Sequence, residues 1–415
     1  MKYLILHGER MAGTPHPDLG GKTPLQAANT PRMDELARKG ELGLISILPE
    51  GLAPGGTVRQ LAIFGYDLRK CPGGPAPYEA ASQGVALGDL DVAFRCSMVT
   101  LRAGASKGKG AGDEIKKLAP QVVLDDAAAG GIGIEEAREL LESINEQLGS
   151  ETIQFYPGSD HRHLLVWVGG KARATTHDPR AAVGQPIGAF LPAGDGADIL
   201  KQVMEASLLI LRDHPVNDQR REAGQKPANC LWLWGQGRAA RLPKLTDKYQ
   251  KTGSVVSARE LLRGIGICAG FEAVNPLLSG QGGERGPDFE GLASAAQREL
   301  AKKDFVYVHV KLPGEVAHSA DAKAKVSLVE AFDKKTVGPI LDGLAKLGPH
   351  RVALICDHGV AERGQASLLP APYVLYDGTG AKGLATGGFS EADAEAASGG
   401  VKPASRLMSW LFTKG

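Results

Sequence analysis

The chain reads as an α/β core interrupted by an inserted domain of different texture, and three observations predict this. Short continuous apolar runs, among them 3–6, 305–310 and 352–356, end in Gly or in polar side chains. That is the pattern of strands buried on both faces of a parallel sheet. The runs alternate with helical stretches at both ends of the chain, whereas the middle is built differently. The change begins at the breaker cluster Cys71-Pro72-Gly73-Gly74-Pro75-Ala76-Pro77, a composition suited to a domain crossing.

The elements follow in order. A first strand over 3–6 delivers His7-Gly8-Glu9 to its end, where open α/β sheets bind ligands. Thr30 as N-cap, Pro31 at the first helical position and Gly40 at the close predict a helix over 31–39. A second strand covers 42–48, a loop 49–57, and a helix starts near Val58. In the middle, strands are expected over 92–100, 152–156 and 163–168, with a Gly/Lys/Ala loop at 104–112. Helices are expected over 199–211 and 135–147, the latter with Ala137, Leu140, Leu141 and Ile144 on one face. The run Asn229 to Arg238 holds Trp232 and Trp234 and reads as a core strand with a turn. The last third adds a strand at 255–258 leading into a helix at 259–262, a strand over 305–310 and a long helix over 326–347. Strands over 352–356 and 372–376 and a helix over 405–412 complete it.

Composition limits the function. The 415 residues carry 48 Lys+Arg against 47 Asp+Glu, a formal charge of +1. Near-neutrality argues against broad binding to nucleic acid or anionic membrane. No run reaches ~18 apolar residues, the length a membrane span needs. The five cysteines include no C-x-x-C pair, which fits a reducing compartment and no zinc ribbon. The expectation is a cytoplasmic protein without nucleic-acid or membrane partners. Glycine is abundant, 55 residues against a usual ~7%, which means many turns and close backbone approaches.

Three places could carry chemistry. The strand over 352–356 ends in Asp357-His358-Gly359, a strand-end acid and imidazole suited to Mn²⁺ or Zn²⁺. The alternative is a helix-capping Asp beside an incidental His. After the strand over 305–310, Glu315 and His318 lie three apart, on one face if helical, while His309 within that strand reads as a core histidine. Glu9 follows the first strand, as a ligand or as a surface acid. Arg95, the run Asp160-His161-Arg162-His163 and Thr176-His177-Asp178 suit anion recognition, or are solvated loop charges. Gly51 to Thr57 lacks the Lys of a P-loop, and there is no G-x-S-x-G elbow.

Taken in sequence, several motifs carry a family resemblance. They include Leu19-Gly20-Gly21-Lys22-Thr23-Pro24-Leu25, Asn29-Thr30-Pro31-Arg32-Met33-Asp34, Leu61-Ala62-Ile63-Phe64-Gly65-Tyr66-Asp67, Glu79-Ala80-Ala81-Ser82-Gln83-Gly84, Asp91-Val92-Ala93-Phe94-Arg95-Cys96 and Trp234-Gly235-Gln236-Gly237. On them the chain resembles, nearly end to end, the archaeal-type 2,3-bisphosphoglycerate-independent phosphoglycerate mutases of the alkaline phosphatase superfamily. The resemblance implies an alkaline-phosphatase-like three-layer core, formed by 1–68 and 242–415, with an inserted α+β cap at 69–241. It also implies a dinuclear Mn²⁺, Mg²⁺ or Zn²⁺ site beside a Ser that takes phosphate from a phosphoglycerate and returns it to the neighbouring hydroxyl.

Carried over residue by residue, that pattern is damaged. Aligned on Pro54-Gly55, the nucleophilic Ser falls at Gly56 and the next acid at Thr57. The first-strand Asp is Glu9, and the acid of the D-E-x-x-H motif is Gly314, with Glu315 and His318 kept. Asp357 and His358 match, the last metal His falls at Gln365 or Ala366, and an Arg before Glu79 falls at Pro75. Arg95, Arg162 and His163 match cap positions that bind substrate. The expected metal ligands are thus Glu9, Asp357 and His358, with His318 on a second, depleted site, for one divalent metal or none.

The resulting expectation is a mutase-like protein that has lost phosphoserine chemistry. It would act as subunit, sensor or scaffold, with a small phosphorylated metabolite, another protein subunit or its own copies as partner. The alternative is a diverged metal-dependent phosphotransferase, phosphatase or mutase using Thr57 as nucleophile.

Overall fold

The computed structural model describes the chain except residues 49–50, 52–55, 72–73, 105–114, 159–160, 277–286, 314–320, 359–368, 380–386 and 414–415. It comprises two compact units, Met1–Cys71 with Arg241–Gly415, and Pro72–Ala240. The strands among the described residues are β1 (Lys2–Glu9), β2 (Glu41–Ser46), β3 (Val92–Arg102), β4 (Val123–Asp126), β5 (Ile153–Tyr156), β6 (Arg162–Trp167), β7 (Cys230–Gly237), β8 (Gly253–Ser257), β9 (Glu272–Val274), β10 (Phe305–Lys311), β11 (His350–Cys356), β12 (Ala371–Asp377) and β13 (Val401–Pro403).

The first unit is built on one sheet of order β13-β2-β12-β11-β1-β10-β8-β9. Its centre is parallel, with β1 between β10 and β11 and β8 beyond β10. β12 departs from the parallel expectation, running antiparallel to both β11 and β2. Successive side chains of each strand point to opposite faces, and helices cover both. Leu4, Leu6, Val306, Val308, Val352 and Leu354 pack with Met33, Leu36, Ala296, Phe332 and Ile340. That layer holds the helices Pro31–Lys39, Phe289–Lys302, Ala322–Phe332 and Gly338–Ala345. On the opposite face Tyr307 meets Phe64 with ring centroids 5.2 Å apart, and Tyr3 meets Phe412 at 4.8 Å. This second layer includes the helices Gly56–Ile63 and Leu407–Thr413, so the sheet is the middle of three layers.

Two local expectations change. The helix expected over 326–347 is divided by a π-helical turn at Asp333–Val337. Pro339 follows at once and has no N–H to give to a regular turn. The widened turn presents the buried Asp333, whose carboxylate accepts from Met33 N at 2.7 Å and Arg32 N at 3.3 Å. Those amides begin the Pro31–Lys39 helix, where Thr30 was the expected cap but makes no side-chain capping bond. An acid distant in sequence satisfies the orphan donors instead.

The second unit is antiparallel, ordered β4-β3-β6-β5 with β7 on the other edge of β3. One face packs Phe94, Cys96, Met98 and Leu165 against Leu140, Ile144, Leu200, Met204 and Leu208 of the helices Ile134–Leu148 and Ala197–Arg212. The other packs Ala93 and Leu164 against Ala76 and Ala80 of the helix Ala76–Ser82. β7 is the core strand expected, and Trp232 and Trp234 donate to His177 O at 2.8 Å and Ser97 Oγ at 2.9 Å.

Candidate active site

Strand alternation assembles the site. On the second-layer face, β1 presents Tyr3, Ile5, His7 and then Glu9, while β10 presents Tyr307 and His309. β11 hands the same face Ile355 and then Asp357 just past its end. Register places His7 beside His309, and His309 beside Ser257. The strands are parallel, so these polar groups collect at one carboxyl-terminal edge, and they are nearly all buried. Such burial requires full hydrogen bonding and charge pairing.

The pairing has two lobes of the same composition. In the first, Asp357 Oδ2 accepts from Arg59 Nη2 at 2.6 Å and from His7 Nε2 at 3.1 Å. Asp357 Oδ1 accepts from Arg10 N at 3.1 Å, an amide aimed by the left-handed backbone of Arg10 (φ 71°). His7 Nδ1 lies 2.7 Å from Tyr307 Oη. In the second lobe, Glu9 Oε2 accepts from Arg259 Nη1 at 2.6 Å and from His309 Nε2 at 3.0 Å. This lobe closes on itself. Ser257 Oγ lies 3.1 Å from His309 Nδ1 and accepts from Arg259 N at 3.1 Å. The lobes meet where the rings of His7 and His309 approach to 5.0 Å between centroids, with Gln60 reaching toward both Glu9 and Tyr307.

The electrostatics follow from these contacts. Burial alone would raise both acids. Arg259, the His309 hydrogen bond and Lys311 bring Glu9 well below the carboxylate range, and Arg59 and His7 do the same for Asp357. Burial pushes His309 down to about 4, so it is a neutral donor to Glu9 at pH 7. Burial also raises Tyr307, with help from Asp357 and Glu9, and it stays protonated.

The expected nucleophile region lies beside these lobes. Gly56 opens the helix Gly56–Ile63, and a Cβ built there would sit 3.9 Å from Arg259 Nη2 and 3.8 Å from Leu261 Cδ2. A Cβ there would meet only ordinary van der Waals contacts, but the chain has glycine and no hydroxyl. Thr57 occupies the first turn of the same helix and is buried. His358 directs Nε2 to Pro370 O at 3.3 Å. His318, Gly314, Glu315, Gln365 and Ala366 lie outside the described residues. Glu9, Asp357 and His358 do not form a ligand group: among the described residues no three or more His, Cys, Asp or Glu are arranged to hold a metal. In each lobe one carboxylate oxygen already faces a guanidinium and an imidazole, a donor set that satisfies the acid without a divalent ion.

Within the inserted unit, Arg95 is committed to Glu79, with Nε 2.7 Å from Oε2 and a second contact through Nη2. It also stacks over Trp234, 4.7 Å from the ring centroid. Register pairs Arg95 with Leu164, Cys96 with His163 and Ser97 with Arg162. Arg95 and Arg162 therefore share one face of the sheet, and His163 points to the other. His163 Nδ1 accepts from Gly158 N at 3.1 Å, while its buried Nε2 has no partner among the described residues. Burial, with Arg138 and Arg162, pushes its pKa down to about 4.

Sequence reasoning missed Arg59, Gln60, Ser257, Arg259 and Tyr307, set His7 at a ligand-binding strand end without giving it a role, and treated His309 as core. A signal existed for His7 and Tyr307, since each lies two residues before another polar strand residue and so on its face. Arg59-Gln60 inside an otherwise apolar helix was a second signal. Nothing local marked Ser257 or Arg259.

A three-layer sheet with an inserted unit and a polar carboxyl-terminal edge defines the alkaline-phosphatase-like class. A solved protein of Pyrococcus horikoshii superposes with a TM-score of 0.77 and 26% identity, covering 100% of this chain and 98% of that one. The cofactor-independent phosphoglycerate mutase of Thermoplasma acidophilum shares the fold, with a TM-score of 0.61, 22% identity and 99% of each chain covered. A probable 2,3-bisphosphoglycerate-independent phosphoglycerate mutase of Geobacter sulfurreducens is 40% identical over 415 residues, all of both chains. One from Methanothrix thermoacetophila is 39% identical over 377 residues, 90% of each. The profile of 2,3-bisphosphoglycerate-independent phosphoglycerate mutase matches residues 37–217. The chain belongs to the 2,3-bisphosphoglycerate-independent phosphoglycerate mutase family.

Proposed function

We propose that this family member does not run the phosphoserine mutase reaction and is a non-catalytic homologue, a subunit, sensor or scaffold that keeps affinity for a small phosphorylated ligand. The supporting observation is the pairing of Asp357 with Arg59 and of Glu9 with Arg259. A metal-assisted phosphoryl transfer needs carboxylates available to a Lewis acid and a hydroxyl activated beside it. Here the carboxylates are neutralised from within, and Gly56 has no hydroxyl to activate. Affinity for a phosphorylated ligand is supported by Arg259 Nη2, which lies 3.9 Å from where a Cβ at Gly56 would sit, since guanidinium suits phosphate oxygens. The test is ³¹P NMR of 3-phosphoglycerate incubated with purified protein and Mn²⁺. The reading expects no 2-phosphoglycerate above the protein-free rate. Turnover that Asp357→Asn abolishes would overturn it.

A further inference from the structure

Each lobe of the site holds one carboxylate, one imidazole and one guanidinium. Asp357 is shared by His7 and Arg59, and Glu9 by His309 and Arg259. The lobes adjoin through the His7 and His309 rings. A carboxylate and an imidazole turned toward a single cation make a ligand pair for a divalent ion. A guanidinium fills the same role with fixed charge and directed donors. We propose that Arg59 and Arg259 are the resident cations of a two-centre site, each guanidinium standing where the carboxylate would otherwise hold a divalent ion.

This goes deeper into the reading above and rests on it, because it says what replaced the metals. It has a consequence that the loss of mutase chemistry alone does not carry. Taking away Arg259 leaves the buried Glu9 carboxylate with neutral His309 and without the guanidinium that faced it. An unpaired buried charge is strongly unfavourable, so the emptied lobe should recruit a cation from solution. The Glu9 lobe suits the experiment. Arg259 is its more exposed member, whereas Arg59 is almost wholly buried. In Arg259→Ala the remaining groups at Glu9 include His309, held as the Nε2–H donor by Ser257, and Lys311 nearby. A binding ion would take His309 as the other tautomer, its proton moved to Nδ1 facing Ser257 Oγ.

The test is calorimetric titration with Mn²⁺ and with Zn²⁺ of the full chain, of Arg259→Ala, and of Arg259→Ala/Glu9→Gln. The expected result is a gain of at least about ten-fold in affinity for Arg259→Ala over the unaltered protein, lost again in the double variant. Methylguanidinium should compete with the metal and raise the melting temperature of Arg259→Ala only. If Arg259→Ala does not fold, Arg259→Gln, which is neutral but keeps the bulk, serves with the same expectation. A folded variant that gains neither metal nor methylguanidinium affinity overturns this inference alone. Metal bound by the unaltered protein at Glu9 and Asp357 overturns the proposed function with it.

Discussion

Replacing Arg59 tests the ion-pair core most sharply within the fold. Arg59→Met keeps much of the side chain's bulk but removes the guanidinium 2.6 Å from Asp357 Oδ2. Asp357 would keep His7 Nε2 and the Arg10 amide but lose its full positive charge, in a pair only 6% and 2% exposed. Breaking one side of such a buried pair costs about 3–5 kcal/mol, whereas exposed pairs contribute about 0–1. Asp357→Asn should cost a similar amount by stranding Arg59. The double variant Arg59→Met/Asp357→Asn leaves no uncompensated charge and should cost less than either single, a coupling of at least about 3 kcal/mol. Urea unfolding of the four proteins at pH 7, followed by near-ultraviolet circular dichroism, measures this. Single variants within about 0.5 kcal/mol of the parent, with additive behaviour in the double, would refute the reasoning.

Two further outcomes follow from the same groups. Both acids have folded pKa values below their unfolded ones, so their stabilisation is complete above about pH 4.5 and is lost as pH falls toward the folded values. The melting temperature should therefore fall steeply between pH 5 and 3 (roughly spanning the unfolded carboxylate range), and more gently in Glu9→Gln/Asp357→Asn; equal slopes would contradict the pairing. Gly56→Ser should fold normally, because its Cβ meets nothing closer than 3.8 Å, with a stability change within about 0.5 kcal/mol. Intact-mass spectrometry after incubation with 3-phosphoglycerate and Mn²⁺ should show no phosphoserine. A phosphorylated adduct would mean that the arginines do not block the chemistry.

Much of the fold was legible because buried strands are written as uninterrupted apolar runs. The direction of a strand is not written that way, which is why β12 reads like its neighbours yet runs antiparallel. The breaker cluster read as a domain crossing, but Pro77 sits in the first turn of the Ala76–Ser82 helix, where a missing N–H costs nothing. Thr30 looked like a cap because local pattern has no view of Asp333, brought to the same amides by tertiary packing. The site shows the same division. Glu9 and Asp357 announce themselves as acids at strand ends, and Gly56 as an absence. Their partners, Arg59 and Arg259, lie far from them in sequence, and only the sheet's register and its second helical layer join them. The sequence alone therefore suggested a depleted metal site, whereas the assembled structure places two arginines on its carboxylates.

Those two arginines set the charge balance of the site. The most direct measurement is an anomalous difference map, at the manganese edge, from crystals of the full chain grown with MnCl₂. The expected map shows no manganese peak within bonding distance of Glu9, Asp357 or His358, with Arg59 and Arg259 ordered against Asp357 and Glu9. A manganese peak bound to those carboxylates, with either guanidinium turned away, would contradict it.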